Sequence, residues 1–314
     1  WFWHSIYALV AFRYLRVMTG AVLYAALGRD RPQLLFRKDL ARKATAFSGG
    51  LYGSRLLNFL ARYAADLLLG LLHSPAAVGL YRFGSRVATG ATDVINQPML
   101  SFAATQFGAA ARQDKDLAKP LARFAGTITL LSGMVGAVII VFARDVIAIF
   151  FQTSYMAALV VTYAMALRGA ASAGQMLVEP AFAAMGRTGW VMLFDMVATA
   201  VSVAAIFIAS PFGLEALAWT QAIVVLGTSA WAFWLLNRRG HLHTQPAMRA
   251  FAGASALSVG YGLILLACRY ELATLSWAPL PTLGIGLSVA VLVGIAVVVL
   301  AARLRLFSFQ AFSG

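Results

Sequence analysis

Charge is what this chain has least of. Only 11% of its 314 residues are Asp, Glu, Lys or Arg, and just 11 are acidic. Soluble domains carry about a quarter charged residues, so a fully hydrated surface is excluded. Cysteine is almost missing too. Cys268 stands alone in an apolar run, which excludes a disulfide framework within the chain and a CxxC metal knuckle. His4 and His73 are isolated, and His241 with His243 makes only an HxH in a polar loop. No metal and no cofactor is expected. The GxxxxGK[ST] phosphate cradle is absent, so ATP hydrolysis is not written here. No cleavable signal peptide pattern occurs. The apolar runs lack the alternation of barrel strands.

What remains is 61% hydrophobic, with a mean hydropathy of +0.80. Nine blocks approach the ~20 apolar residues a spanning helix needs. They are Ile6–Leu27, Phe47–Leu72, Val78–Phe107, Phe124–Ala143, Ala157–Met185, Val191–Ala209, Leu214–Asn237, Ala250–Ala267 and Pro281–Ala302. In hydrocarbon every backbone polar group must be bonded internally, which leaves helices for runs of this pattern. The expected class is an all-α polytopic membrane protein with about nine transmembrane helices.

Cations orient it. The segments after blocks 1, 3, 5, 7 and 9 hold sixteen Lys and Arg, whereas the other four loops hold only Arg144 and Arg269. By the positive-inside rule the first end lies outside, in the periplasm, and the carboxyl end in the cytoplasm. The net charge of +14 is dispersed between and within apolar blocks, so orientation explains it better than nucleic acid does. An outside first end, with no signal peptide and no initiator Met, leads us to expect a carboxyl-terminal fragment preceded by an odd number of helices.

Seven cations fall inside the blocks: Arg13, Arg16, Arg55, Arg62, Arg82, Arg86 and Arg168. Each costs about 2.5–3.5 kcal/mol at a helix centre, so seven must snorkel, pair or line water. At 100° per residue most of the polar residues align. Block 2 carries Arg55, Asn58, Arg62 and Asp66 on one stripe; block 3 carries Arg82, Arg86, Thr89, Asp93 and Gln97. Block 5 repeats the pattern in Arg168, Ser172, Gln175 and Glu179, and block 6 more weakly in Asp195, Thr199 and Ser202. Block 1 offers Arg13, Arg16 and Gly20; blocks 4, 8 and 9 have no central charge. The expectation is one polar cavity walled by blocks 1, 2, 3, 5 and 6, with blocks 8 and 9 peripheral. Seven arginines against Asp66, Asp93, Glu179 and Asp195 leave about +3, which favours an anionic occupant, and the guanidinium fork suits phosphate.

Blander readings stand beside this one. Arg82, near the outer end of its block, is equally placed to snorkel. Arg13 and Arg16 equally fit a helix edge. Arg62 and Asp66, at i and i+4, have the spacing of an internal pair. Glu215 starts a helix, where a carboxylate is favourable without any site. Pro98 and Pro180 interrupt two blocks and are expected hinges, with a static bend as the alternative. Gly133 and Gly136 read as close packing.

"FSGGLYGSRLLNFLARYAADLLLGLLHSPAAVGLYRFGSRVA" (Phe47–Ala88) resembles two helices of polysaccharide repeat-unit flippases in the multidrug/oligosaccharidyl-lipid/polysaccharide (MOP) superfamily. The shared features are an aspartate late in the first helix (Asp66), a short apolar hairpin, "GLY" at Gly79–Tyr81, and Arg86 five residues on. "AFAAMGRTGW" (Ala181–Trp190) and the basic "GRDRPQLLF" are similar as well, and the likeness runs from about Tyr7 to Leu242.

The resemblance implies a fourteen-helix whole with five helices upstream. It implies residues 1–45 as the last helix of a first lobe with a basic cytoplasmic linker, 46–245 as a six-helix second lobe of MOP/MATE type, and 246–314 as two extra helices with a cytoplasmic tail. It implies a non-enzymatic flippase of the bacterial inner membrane, moving undecaprenyl-diphosphate-linked oligosaccharide for lipopolysaccharide or exopolysaccharide synthesis. A polymerase and glycosyltransferases of the same pathway are the implied protein partners. Arg62, Arg86 and Arg168 would hold the diphosphate, with Arg55 and Arg82 secondary. Asp66, Asp93, Glu179 and Asp195 would tune those arginines or carry a coupling ion. A lipid II (peptidoglycan precursor) flippase shares these expectations. A cationic-drug exporter would want a net acidic cavity instead. A membrane polymerase needs a catalytic loop, and the longest outer loop, "RYELATLSWAPLP", offers one Glu and no His.

Overall fold

The computed structural model describes residues 6–27, 37–113, 115–274 and 278–304; within its helices the side chains of 6–9, 46, 61, 62 and 65 are not described. The described residues form helices and no strand. In chain order they are α1 (Ile6–Leu27), α2 (Lys38–Leu72), α3 (Pro75–Arg112), α4 (Ala118–Phe150), a 3-10 segment (Thr153–Ala158), α5 (Leu159–Ala171), α6 (Ala173–Met176), α7 (Val178–Ala184), α8 (Thr188–Ala209), α9 (Leu214–Arg238), α10 (Gln245–Thr274) and α11 (Pro279–Arg303). All nine apolar blocks are helical.

Seven stretches are long and apolar enough to cross a membrane: Val10–Leu27, Ala118–Phe150, Thr153–Ala171, Thr188–Phe212, Leu214–Arg238, Gln245–Thr274 and Pro279–Arg303. The protein is a multi-pass, all-α membrane protein. The two longest helices, α2 with 35 residues and α3 with 38, fall outside that set. At 1.5 Å per residue each exceeds about 50 Å, longer than the ~30 Å hydrocarbon layer.

The chain divides into two compact units, Trp1–Thr45 and Ala46–Gly314. The first contains α1, with Arg13 and Arg16, and the opening turns of α2. The basic "GRDRPQLLF" lies outside the described residues.

In the second unit α3 starts cleanly. Ser74 caps it, accepting from the Ala77 N–H at 3.3 Å, and Pro75 takes the first helical position, where a missing N–H costs nothing. Small residues set the packing. A Cβ on Gly84 of α3 would come within 2.9 Å of the Ala158 carbonyl oxygen, and one on Gly136 of α4 within 3.1 Å of the Ala166 carbonyl oxygen. Gly133 of α4 leaves the space that Ser258 of α10 fills, and Ser258 Oγ donates to the Leu130 carbonyl at 3.3 Å. In lipid, where apolar burial gives little drive, such close approach supplies the attraction.

Three apolar clusters result. Phe107, Phe124, Phe182 and Phe194 anchor the largest, where α3, α4, α7, α8 and α9 meet. Leu69, Tyr81, Val161, Met165 and Leu217 belong to the second, which joins α2, α3, α5, α8 and α9. The third joins α4, α10 and α11 through Leu130, Phe142, Tyr261, Leu265 and Leu283, with the Tyr261 hydroxyl donating to the Ala290 carbonyl at 2.9 Å.

The block expected as one helix over Ala157–Met185 is broken. Its pieces α5, α6 and α7 part at Ser172 and Leu177. Pro180 has no N–H to give the Met176 carbonyl, and its ring crowds that carbonyl, so the helix fails one turn upstream. Ser172 Oγ turns back to the Gly169 carbonyl at 2.7 Å and helps end α5. Pro98 has no such effect, and α3 continues past it as a single helix.

Candidate functional site

The α2–α8 seam begins with small residues. A Cβ on Gly50 would meet the Thr188 carbonyl oxygen at 2.7 Å, and one on Gly53 the Met192 sulfur at 2.7 Å. That approach brings α2 polar groups onto α8. Ser54 Oγ donates to Asp195 Oδ2. Asn58, one turn on, donates to the same oxygen at 3.1 Å and to the Ser54 carbonyl at 3.2 Å. Thr199, one turn beyond Asp195, donates to the Leu57 carbonyl at 3.5 Å.

Across from Asp195 lies the broken segment. Arg168 ends α5, Gln175 lies in α6 and Glu179 opens α7. With Asn58, Asp195, Thr199 and Ser202 they line a cavity of about 270 Å³, whose apolar walls include Leu100, Phe194 and Val225. The Arg168 Nε atom is buried and has no hydrogen-bond partner. Gln175 Nε2 donates to the Thr228 hydroxyl of α9. Glu179 faces Arg55 of α2 at 3.8 Å, with both side chains substantially exposed.

The expected site residues thus separate into groups. Arg168, Glu179 and Asp195 share the cavity, and Arg55 reaches it through Glu179. Asp66 is held by Arg82, whose Nε and Nη2 both lie 3.0 Å from Oδ2. Arg86 and Asp93 are exposed and make no ion pair among the described residues, and Pro98 is exposed. Pro180 is buried in α7. Arg62 belongs to α2, and its side chain lies outside the described ones.

Two differences from the sequence-based picture follow. Arg86, Thr89, Asp93 and Gln97 of the α3 stripe are not among the residues that line this cavity, which α3 meets through Leu100, one turn past Gln97. The cavity wall itself carries one arginine and two carboxylates, not an excess of about three positive charges. Ser54, Val225 and Thr228 were not singled out from sequence. The run Gly49, Gly50, Gly53, Ser54 was a usable signal for Ser54, since small residues at this spacing mark close helix approach. α9 carries no charge in its middle and gave no signal.

The sequence model of the polysaccharide biosynthesis protein family matches residues 1–159, just over half of the chain. The match takes in α1 to α4 and ends before Arg168, Glu179 and Asp195. No curated protein and no solved structure matches the chain.

Proposed function

This chain belongs to the polysaccharide biosynthesis protein family, and we propose that within that role it carries a lipid-diphosphate-linked oligosaccharide across the bacterial inner membrane, as a transporter and not as an enzyme. The observation that carries the reading is Arg168 Nε, a buried donor without an acceptor on the wall of a polar cavity inside a membrane protein. An unmet guanidinium N–H there is costly, and a phosphate oxygen is an acceptor that suits it. Asp195 and Glu179 hold the pocket's other polar groups in place and limit how tightly the anion is kept, which transit requires. At about 270 Å³ the cavity falls just under the ~300–1,000 Å³ that encloses a drug-sized ligand. It takes the phosphates, and the sugars lie outside it. Arg86, Asp93 and Gln97, exposed on α3, are suited to hydrogen-bond sugar hydroxyls.

The test is Arg168→Gln in the intact gene, in a strain whose polymer export depends on it. Lipid-linked oligosaccharide should accumulate on the cytoplasmic leaflet while protein abundance holds, and Arg168→Lys should restore part of the export. Normal export by the Gln variant would refute the reading.

Two carboxylates on the cavity wall favour a second reading, an exporter of cationic compounds. In that case Glu179→Gln and Asp195→Asn raise sensitivity to lipophilic cations and leave the polymer intact.

A further inference from the structure

Another cluster lies where α7 turns into α8. Gly186 takes a φ of +69°, and the turn is closed by the Arg187 N–H bonding the Phe182 carbonyl at 2.8 Å. Arg187 Nη1 then donates to the Arg239 carbonyl, just past the end of α9, at 2.7 Å. The Arg239 guanidinium sits 4.9 Å from the centre of the Trp190 ring. Two arginines and a tryptophan from different elements are thereby tied together. Beside them opens a shallow pocket of about 480 Å³, lined by Arg187, Gly189, Trp190 and Leu193.

The charge here is uncompensated. No Asp or Glu occurs between Glu215 and Glu271. Among the described residues, neither Arg187 nor Arg239 has a carboxylate within ion-pair distance. The Arg187 bond to the Arg239 carbonyl occupies one of its five N–H donors. In the other direction the pocket continues onto exposed apolar side chains of α8, Leu193 at 36% and Met196 at 46%. An occupant that suits both ends is anionic at one end and aliphatic at the other.

We propose that this pocket holds an anionic phospholipid of the cytoplasmic leaflet. Its phosphate lies on Arg187 and Arg239, its glycerol against Trp190, and an acyl chain along Leu193 and Met196. The Lys/Arg distribution puts this end of α8 on the cytoplasmic side, where anionic lipid is concentrated. Tryptophan at the headgroup level and basic pockets between helices are the features that recognise such lipids. Bound there, the lipid joins the start of α8 to the end of α9. The proposal concerns a different surface from the cavity and does not rest on the transport reading.

Purified protein in a neutral detergent is offered phosphatidylglycerol and phosphatidylcholine, and retained lipid is counted by native mass spectrometry. The wild type should retain phosphatidylglycerol in preference. Arg239→Gln keeps the main-chain carbonyl that Arg187 bonds, so it removes charge without removing the link. Its retention should fall about fivefold, the worth of one basic residue at an anionic surface. Arg187→Gln combined with Arg239→Gln should fall further, and Arg239→Lys should recover part of the loss. Equal retention of the two lipids by the wild type overturns the proposal, as does unchanged phosphatidylglycerol retention in the double variant. Displacement by millimolar inorganic phosphate as effective as displacement by added phosphatidylglycerol also overturns it, since the tail would then contribute nothing.

Discussion

Two arginines within this bundle are treated in opposite ways. Arg269 of α10 has partners on both arms of its fork: Nη2 meets Asp145 Oδ1 of α4 at 2.9 Å, and Nη1 donates to the Val141 carbonyl at 2.8 Å. Arg168 of α5 has a buried Nε with no acceptor. Around Arg269 the helices are unbroken and packed by small residues, with Gly286 of α11 so close to Phe142 that an added Cβ would lie 2.5 Å from the ring. Around Arg168 the helix is in three pieces and a cavity opens. A charge that secures two helices is satisfied by the protein itself. At Arg168 the protein leaves one buried N–H beside a cavity without an acceptor of its own.

Substitutions can break or sharpen this contrast. The largest effect is expected for Arg168→Gln. A charged hydrogen bond is worth about 1.5–3 kcal/mol, so losing one made in transit should slow export about tenfold or more, with little change in melting temperature. Asp145→Asn or Arg269→Met should behave in reverse, costing about 1–3 kcal/mol of stability and lowering the melting temperature in detergent, with export retained where the protein survives. If both sites shifted export and stability alike, the contrast would be empty.

Next in size are the prolines. Pro180→Ala lets residue 180 donate to the Met176 carbonyl and mend the break. It should raise the melting temperature by the equivalent of about 1 kcal/mol and slow transport, while Pro98→Ala, in a helix already continuous, should change transport little. The smallest effect is expected at Gly227 of α9, where a Cβ meets nothing within 4 Å. Gly227→Ala should be neutral or stabilise by up to about 1 kcal/mol, whereas Gly286→Val, facing Phe142, should cost about 1–3 kcal/mol; thermal melts of both variants check the pair.

Much of the fold could be read from the sequence, because each helix is specified locally. The nine apolar blocks and the trouble at Pro180 follow from neighbours within a few residues. The polar stripe of α8 was legible in the same way, and Asp195, Thr199 and Ser202 do face one cavity. The stripe of α3 was equally legible as a stripe, yet none of its polar residues lines that cavity. A period of 3.6 residues gives the angle of a side chain about its own helix and says nothing of which neighbour lies at that angle.

From the sequence alone came the class of the protein, its helical segments and the alignment of polar groups along each helix, since apolar length and helical period are properties of contiguous residues. Only the tertiary structure decided that Asp195 is held by Ser54 and Asn58, 141 and 137 positions away, that Asp66 goes to Arg82, and that Arg168 Nε is left without an acceptor. Those choices depend on how closely two backbones approach, which glycines and serines on both helices set jointly and no single segment contains.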